Sequence, residues 1–128
     1  MRRGLKTAFA VTGIVGLLAA GPAATAKDGD VIKRGSCSSS SDWKLKLSPE
    51  DGKTEVEFEV DQNKVGDTWR VVIRENGDRI FRGKRVTKGA SGSFSVRIVA
   101  PNPPGSDSFQ AKAVNLSTDE RCVGRASI

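Results

Sequence analysis

The sequence predicts an all-β domain: a seven-stranded antiparallel sandwich of immunoglobulin or fibronectin type III kind, its N- and C-terminal strands joined by one disulfide. Three observations predict it. Apolar and polar residues alternate with a period of two in five separate segments. Clusters of Gly, Pro, Asn and Asp separate those segments at intervals suited to short strands. The cysteines, Cys37 and Cys122, stand near opposite ends of the alternating region.

The strands follow in order. Trp43, Leu45 and Leu47 alternate with Lys44 and Lys46 over 43–48, and Val56, Phe58 and Val60 alternate with Glu55, Glu57 and Glu59 over 54–60. Trp69, Val71 and Ile73 mark 68–75, with 79–86 after it. Phe94, Val96 and Ile98 mark 92–99; Phe109, Ala111 and Ala113 mark 107–115; the last strand is 121–127. The expected core gathers Phe58, Phe94 and Phe109 around Trp69. No segment has helical apolar spacing long enough to nucleate a helix. A small closed β-barrel is the alternative architecture, since it too brings the first and last strands together.

The chain opens with Met1, Arg2, Arg3 and Lys6, an apolar run from Thr7 to Ala20, and the small-residue end Ala24-Thr25-Ala26. That is the tripartite pattern of a secretory signal peptide cleaved after Ala26. Its apolar run is shorter than the roughly 20 residues a membrane span needs. Residues 1–26 are therefore expected to leave, 27–42 to form a flexible N-terminal segment and 43–128 to form the domain, with no membrane span after cleavage. The expected location is secreted and extracellular. Three of the 21 basic residues lie in the leader and none of the 15 acidic ones does, so the net charge falls from +6 to +3 on cleavage.

Export explains the cysteine that precedes "SSSS". An oxidising compartment preserves disulfides, and only one pairing within the chain is available. A metal or catalytic role would need partners, but the chain has no histidine and no CxxC pair. Closing a loop of this length removes on the order of 4.5 kcal/mol of denatured-state entropy in the chain-entropy account.

The stretches "SCSSSSDWKLKLSPEDGKTEVEFEVDQNKVGDTWRVVIRENG", "SGSFSVRIV" and "RCVG" resemble a set of small secreted actinobacterial proteins of unknown function. The resemblance covers most of the chain after the leader. It implies the compartment and the sandwich, and no activity.

Residue chemistry argues against an enzyme. Without histidine or tyrosine there is no Ser-His-Asp or Cys-His system and no common zinc site, and no cofactor motif is present. Glu57 and Glu59, about 7 Å apart on one strand face, overlap the carboxylate spacing of inverting glycosidases, but cross-strand pairing with Lys44 and Lys46 explains them more simply. Asp28-Gly29-Asp30 and Glu50-Asp51 supply too few ligands for calcium. Gly89–Ser93 reads as a turn, and Asn115-Leu116-Ser117 matches a glycosylation acceptor.

The hairpin "TWRVVIRENGDRIFRGKRVTK" is the informative surface. Asn76-Gly77 calls for a two-residue type I′ turn, pairing Arg74 with Arg79, Ile73 with Ile80, Val72 with Phe81 and Val71 with Arg82. Arg70, Val72, Arg74, Arg79 and Phe81 then share the outer face, extended by Lys84, Arg85 and Lys88, while Glu55, Glu57 and Glu59 make the opposite sheet acidic. An edge strand guarded by the inward-pointing charges Arg82 and Lys84 accounts for part of this pattern. A recognition surface accounts for arginines beside apolar groups. The functional expectation is a non-catalytic extracellular module binding a protein or an anionic cell-envelope polymer. Nucleic acid is not expected, because no stacking aromatics interleave with the basic residues. The alternative is an inhibitor of an extracellular hydrolase, presenting the proline-rich loop 100–105 in a pre-set extended form.

Overall fold

Alternation decides which side each strand buries, and two such faces must cover each other. In the computed structural model, which describes residues 27–101 and 105–128, they do so as two four-stranded antiparallel sheets. The strands are β1 (Val31–Ser36), β2 (Asp42–Glu50), β3 (Lys53–Asp61), β4 (Thr68–Glu75), β5 (Asp78–Val86), β6 (Ser93–Pro101), β7 (Ser108–Asn115) and β8 (Arg121–Ser127). One sheet has the order β1-β2-β3-β6 and the other β5-β4-β7-β8. Among the described residues no strand ladder joins the sheets, only the isolated bridge between Lys88 and Ser93, so the molecule is a sandwich and not a closed barrel. The leader reading at 1–26 lies outside the described residues.

There are eight strands, not seven. The extra one, β1, lies in the segment expected to be flexible and pairs with β2 from Val31↔Leu47 to Ser36↔Asp42. Its apolar alternation is broken by Lys33 and Gly35, which hid it. The serine tract beyond it is also tied down. Glu120, itself buried, accepts hydrogen bonds from the amides of Ser39 (3.1 Å) and Ser41 (2.8 Å) and from the Ser41 hydroxyl (2.9 Å). The Ser38 amide donates to the Arg121 carbonyl at 2.8 Å, and the Arg121 amide donates to the Ser38 hydroxyl at 2.9 Å. Between these contacts Cys37 is bonded to Cys122 with a Cα–Cα distance of 4.3 Å.

The core is built from unequal halves. The first sheet contributes Leu45, Leu47, Val56, Phe58, Val60, Phe94 and Val96; in the second, β4 contributes Trp69, Val71 and Ile73, and β7 and β8 contribute Phe109 with the small Ala111, Ala113, Cys122 and Ala126. The short side chains of β7 and β8 leave room for the larger ones around them. Trp69 is fully buried, meets Phe94 in a tilted arrangement with ring centres 6.0 Å apart and donates its indole N–H to Gln62 Oε1 at 3.0 Å. Trp43 fills the margin under the disulfide. A Cβ on Gly35 of β1 would come within 2.6 Å of its ring, and one on Gly124 of β8 within 2.7 Å.

The β4–β5 hairpin keeps its expected turn but not its expected register. Asn76 (φ 50°) and Gly77 (φ 88°) take the left-handed conformations of a type I′ turn, and Arg74 pairs with Arg79. A bulge then absorbs Ile80, so Ile73 pairs with Phe81, Val72 with Arg82 and Val71 with Gly83. Because side chains alternate, this one-residue slip exchanges the two faces of the rest of β5. Phe81 turns inward against the core, and Arg85 follows on the same side with its guanidinium 5.3 Å from the Phe81 ring centre. Arg82 and Lys84 face out. The inward charge expected of Arg82 and Lys84 at this edge is supplied by Arg85.

Replacing both cysteines with alanine should lower the unfolding free energy by about 4 kcal/mol in urea titrations. Gly124→Ala should cost about 1–3 kcal/mol through overpacking against Trp43, with the disulfide still formed by mass.

Candidate functional site

The outer face of the β5-β4-β7-β8 sheet carries the candidate site. Pairing fixes three rows across it. The first runs Lys84, Arg70, Val114, Arg121; the second Arg82, Val72, Lys112, Val123. The third runs Arg79, Arg74, Gln110, Arg125. Each cation in these rows is exposed, whereas Val72, Val114 and Val123 are half-buried. No acidic residue occupies any of the twelve positions. Among the described residues none of these cations lies in an ion pair; the ion pairs fall at Lys27–Glu50, Lys44–Glu59, Lys46–Asp30, Lys64–Asp67 and Arg97 with Glu55 and Glu57.

A groove of roughly 480 Å³ crosses the middle of this face, lined by Arg70, Val72, Arg74, Lys112, Val114 and Arg121 among others, and by one acid, Asp119. A depression of the same size on the other sheet is lined by Arg34, Asp42, Lys44, Glu59 and Asp61, so its charge is mixed.

Of the sequence-derived surface, Arg70, Val72, Arg74, Arg79 and Lys84 share this face. Phe81 and Arg85 do not, because the Ile80 bulge turns them to the inner side, and Lys88 lies beyond β5, bridged to Ser93. Arg82, Lys112, Arg121 and Arg125 also lie on this face, beyond the residues expected there. Their signal was present: Lys112 alternates with Ala111 and Ala113, and Arg121 and Arg125 alternate with Cys122, Gly124 and Ala126. What local pattern lacked was the strand order that sets β7 and β8 beside β4.

The opposite sheet corrects a second expectation, that it would be acidic. Glu59 is 3.5 Å from Lys44; Glu55 and Glu57 are each 3.7 Å from Arg97, which β6 places across β3. Glu57 stands between Lys46 and Arg97, and Glu55 and Glu59 each have one cation within reach, so the glutamates do not make the face uniformly acidic. Lys46 stands opposite Glu57 as expected, but its ion pair is with Asp30 at 3.8 Å. Asp30 also accepts from the Ser48 hydroxyl and the Lys27 amide, and these hydrogen bonds, with Lys46, hold its carboxyl below the usual range. It secures the start of β1.

Each end of the sandwich has a polar network. At one end Asp67 accepts from Gln62 at 2.6 Å and from the side-chain amide of Asn115 at 3.0 Å, which with nearby Lys64 pull its carboxyl below the usual range. Asn115 is wholly buried, and its oxygen accepts from the amides of Ser117 and Thr118. The glycosylation sequon is therefore closed in the fold. At the other end Glu75 and Asp107, 7% and 1% exposed, each keep one carboxylate oxygen without a hydrogen-bond partner. Burial, then the charges of Asp107 and Asp78, push the Glu75 carboxyl up. Residues 102–104 of the loop in the inhibitor reading are outside the described residues.

Among the described residues no group of three or more acidic or cysteine side chains is placed to hold a metal ion. No protein-family model matches the chain, and no curated protein or solved structure matches it.

Glu75 gives a signed pH dependence. A carboxyl whose pKa is raised on folding favours the native state fully below its ordinary value, and that contribution is lost as pH rises through the raised one. Glu75→Gln should therefore match the parent near pH 4 and exceed it at pH 7 by about 1 kcal/mol, as read by urea unfolding at both pH values.

Proposed function

We propose that the chain is a secreted, non-catalytic binding module that holds an anionic macromolecule on the outer face of the β5-β4-β7-β8 sheet. One observation carries the reading: eight exposed cations share that face and, among the described residues, none lies in an ion pair, with Asp119 as the acid lining their groove, while on the other sheet Lys44, Lys46 and Arg97 each lie in an ion pair with an acid. Like charges on neighbouring strands repel and cost stability. An anionic partner removes that cost, and the field of the face steers it there.

The arginines suit the task chemically. A guanidinium presents a planar fork of donors to carboxylate or phosphate and is less strongly hydrated than an ammonium. The half-buried valines give a partner's carbon skeleton something to lie on. The disulfide is consistent with work outside the cell, where rigidity must survive without chaperones.

The test is retention on isolated cell envelopes across a salt series. Binding should fall linearly on a log–log plot, and Arg70→Glu with Arg125→Glu should abolish retention at low salt while leaving the melting temperature unchanged within about 2 °C. Arg34→Glu, a charge reversal on the opposite sheet, should leave retention as in the parent. Equal loss from both faces would remove the proposed site.

A further inference from the structure

The arrangement of the cations is more specific than their number. Arg70 and Arg74 on β4 and Arg121 and Arg125 on β8 stand at the corners of a rectangle, with Lys112 of β7 at its centre. From strand geometry its sides are about 10 Å across the strands and about 13 Å along them, so each corner lies about 8 Å from the centre. A lone phosphate is too small to bridge two such points. A linear polymer laid corner to centre to corner meets a cation at each step, with Val72, Val114 and Val123 between the steps.

The face also restricts what joins the anionic groups. None of its twelve positions is aromatic. Nucleic acid bases need flat π-surfaces to stack on in single-stranded complexes, and pyranose rings favour the same platforms. A protein partner would need a well-packed apolar or aromatic anchor at the centre of the interface, where this face has a lysine. Short acyclic linkers fit what remains, namely valine methyls and Gln110 between cations. Successive phosphates joined by such linkers fall at a pitch comparable to the corner-to-centre distance.

Building on the anionic-partner reading, we infer that this face is a binding site for a linear polymer of phosphodiester-linked acyclic polyols, seated diagonally across β4, β7 and β8. Arg70 and Arg125, or Arg74 and Arg121, hold the outer phosphates of a run, and Lys112 holds the middle one.

Titration calorimetry of the disulfide-bonded protein against poly(glycerol phosphate), polygalacturonate and poly(dT), at equal charge concentration, tests this. The polyol phosphate should bind about tenfold or more tighter than either competitor, and inorganic phosphate should not displace it at millimolar concentration. Lys112→Gln should flatten the salt slope by about 0.7, one phosphate's share on a single strand, and Lys44→Gln on the other sheet should not. Equal or tighter binding of the uronate or the polynucleotide would overturn the polymer assignment and leave the basic face standing. Binding that ignores Lys112→Gln would overturn the diagonal seat. No binding to any of the three polyanions would remove both this inference and the reading beneath it.

Discussion

The margin where β1 meets β8 is the constraint on which the rest depends. There the Cys37–Cys122 bond, the indole of Trp43 wedged between Gly35 and Gly124, and the Glu120 clamp on the serine tract act within one short stretch. Any one of these would bring the sheets together; jointly they fix the height of β8 along its neighbours. That height matters beyond stability, because β8 is two-sided. Cys122, Gly124 and Ala126 point into the sandwich, while Arg121, Val123 and Arg125 point out of it. The contacts that lock the inner face also set the position of half the rectangle on the outer one.

Two outer faces built on the same kind of sheet are treated in opposite ways. On β2, β3 and β6 most facing charges are opposite in sign, as at Lys44 and Glu59, Lys46 and Glu57, Glu50 and Lys53, and Glu57 and Arg97, although Asp42 faces Asp61. On β5, β4, β7 and β8 only bases appear. Neutralising the second face in the same manner would need only a few glutamates. None of the twelve positions in its rows holds an acid that would relieve the repulsion between them.

Much of the fold was legible because period-two alternation is a property of single residues and survives without knowledge of neighbours. Trp69, Val71 and Ile73 could be assigned inward from their own segment, and the disulfide followed from cysteine count and compartment. The Asn76-Gly77 turn was legible for the same reason. Register beyond it was not: the bulge at Ile80 depends on burying both Ile80 and Phe81 against the core, a cooperative packing choice that no dipeptide encodes. β1 escaped notice because its inward positions, Lys33 and Gly35, are matched to an edge and to Trp43 and not to a generic core. The site was half legible, since Arg70 and Arg74 share a hairpin, whereas Lys112 and Arg125 reach them only through strand order.

The buried asparagine of the sequon has an implication for how the chain matures. An oligosaccharyltransferase must reach the side-chain nitrogen of Asn115, and in the native protein that atom is donated to Asp67 inside the fold. Acceptance of a sugar is thus confined to chains that have not yet closed this corner. In a host that carries the enzyme, occupancy at Asn115 would serve as a chemical clock, recording how long each molecule lingered before its last strands docked.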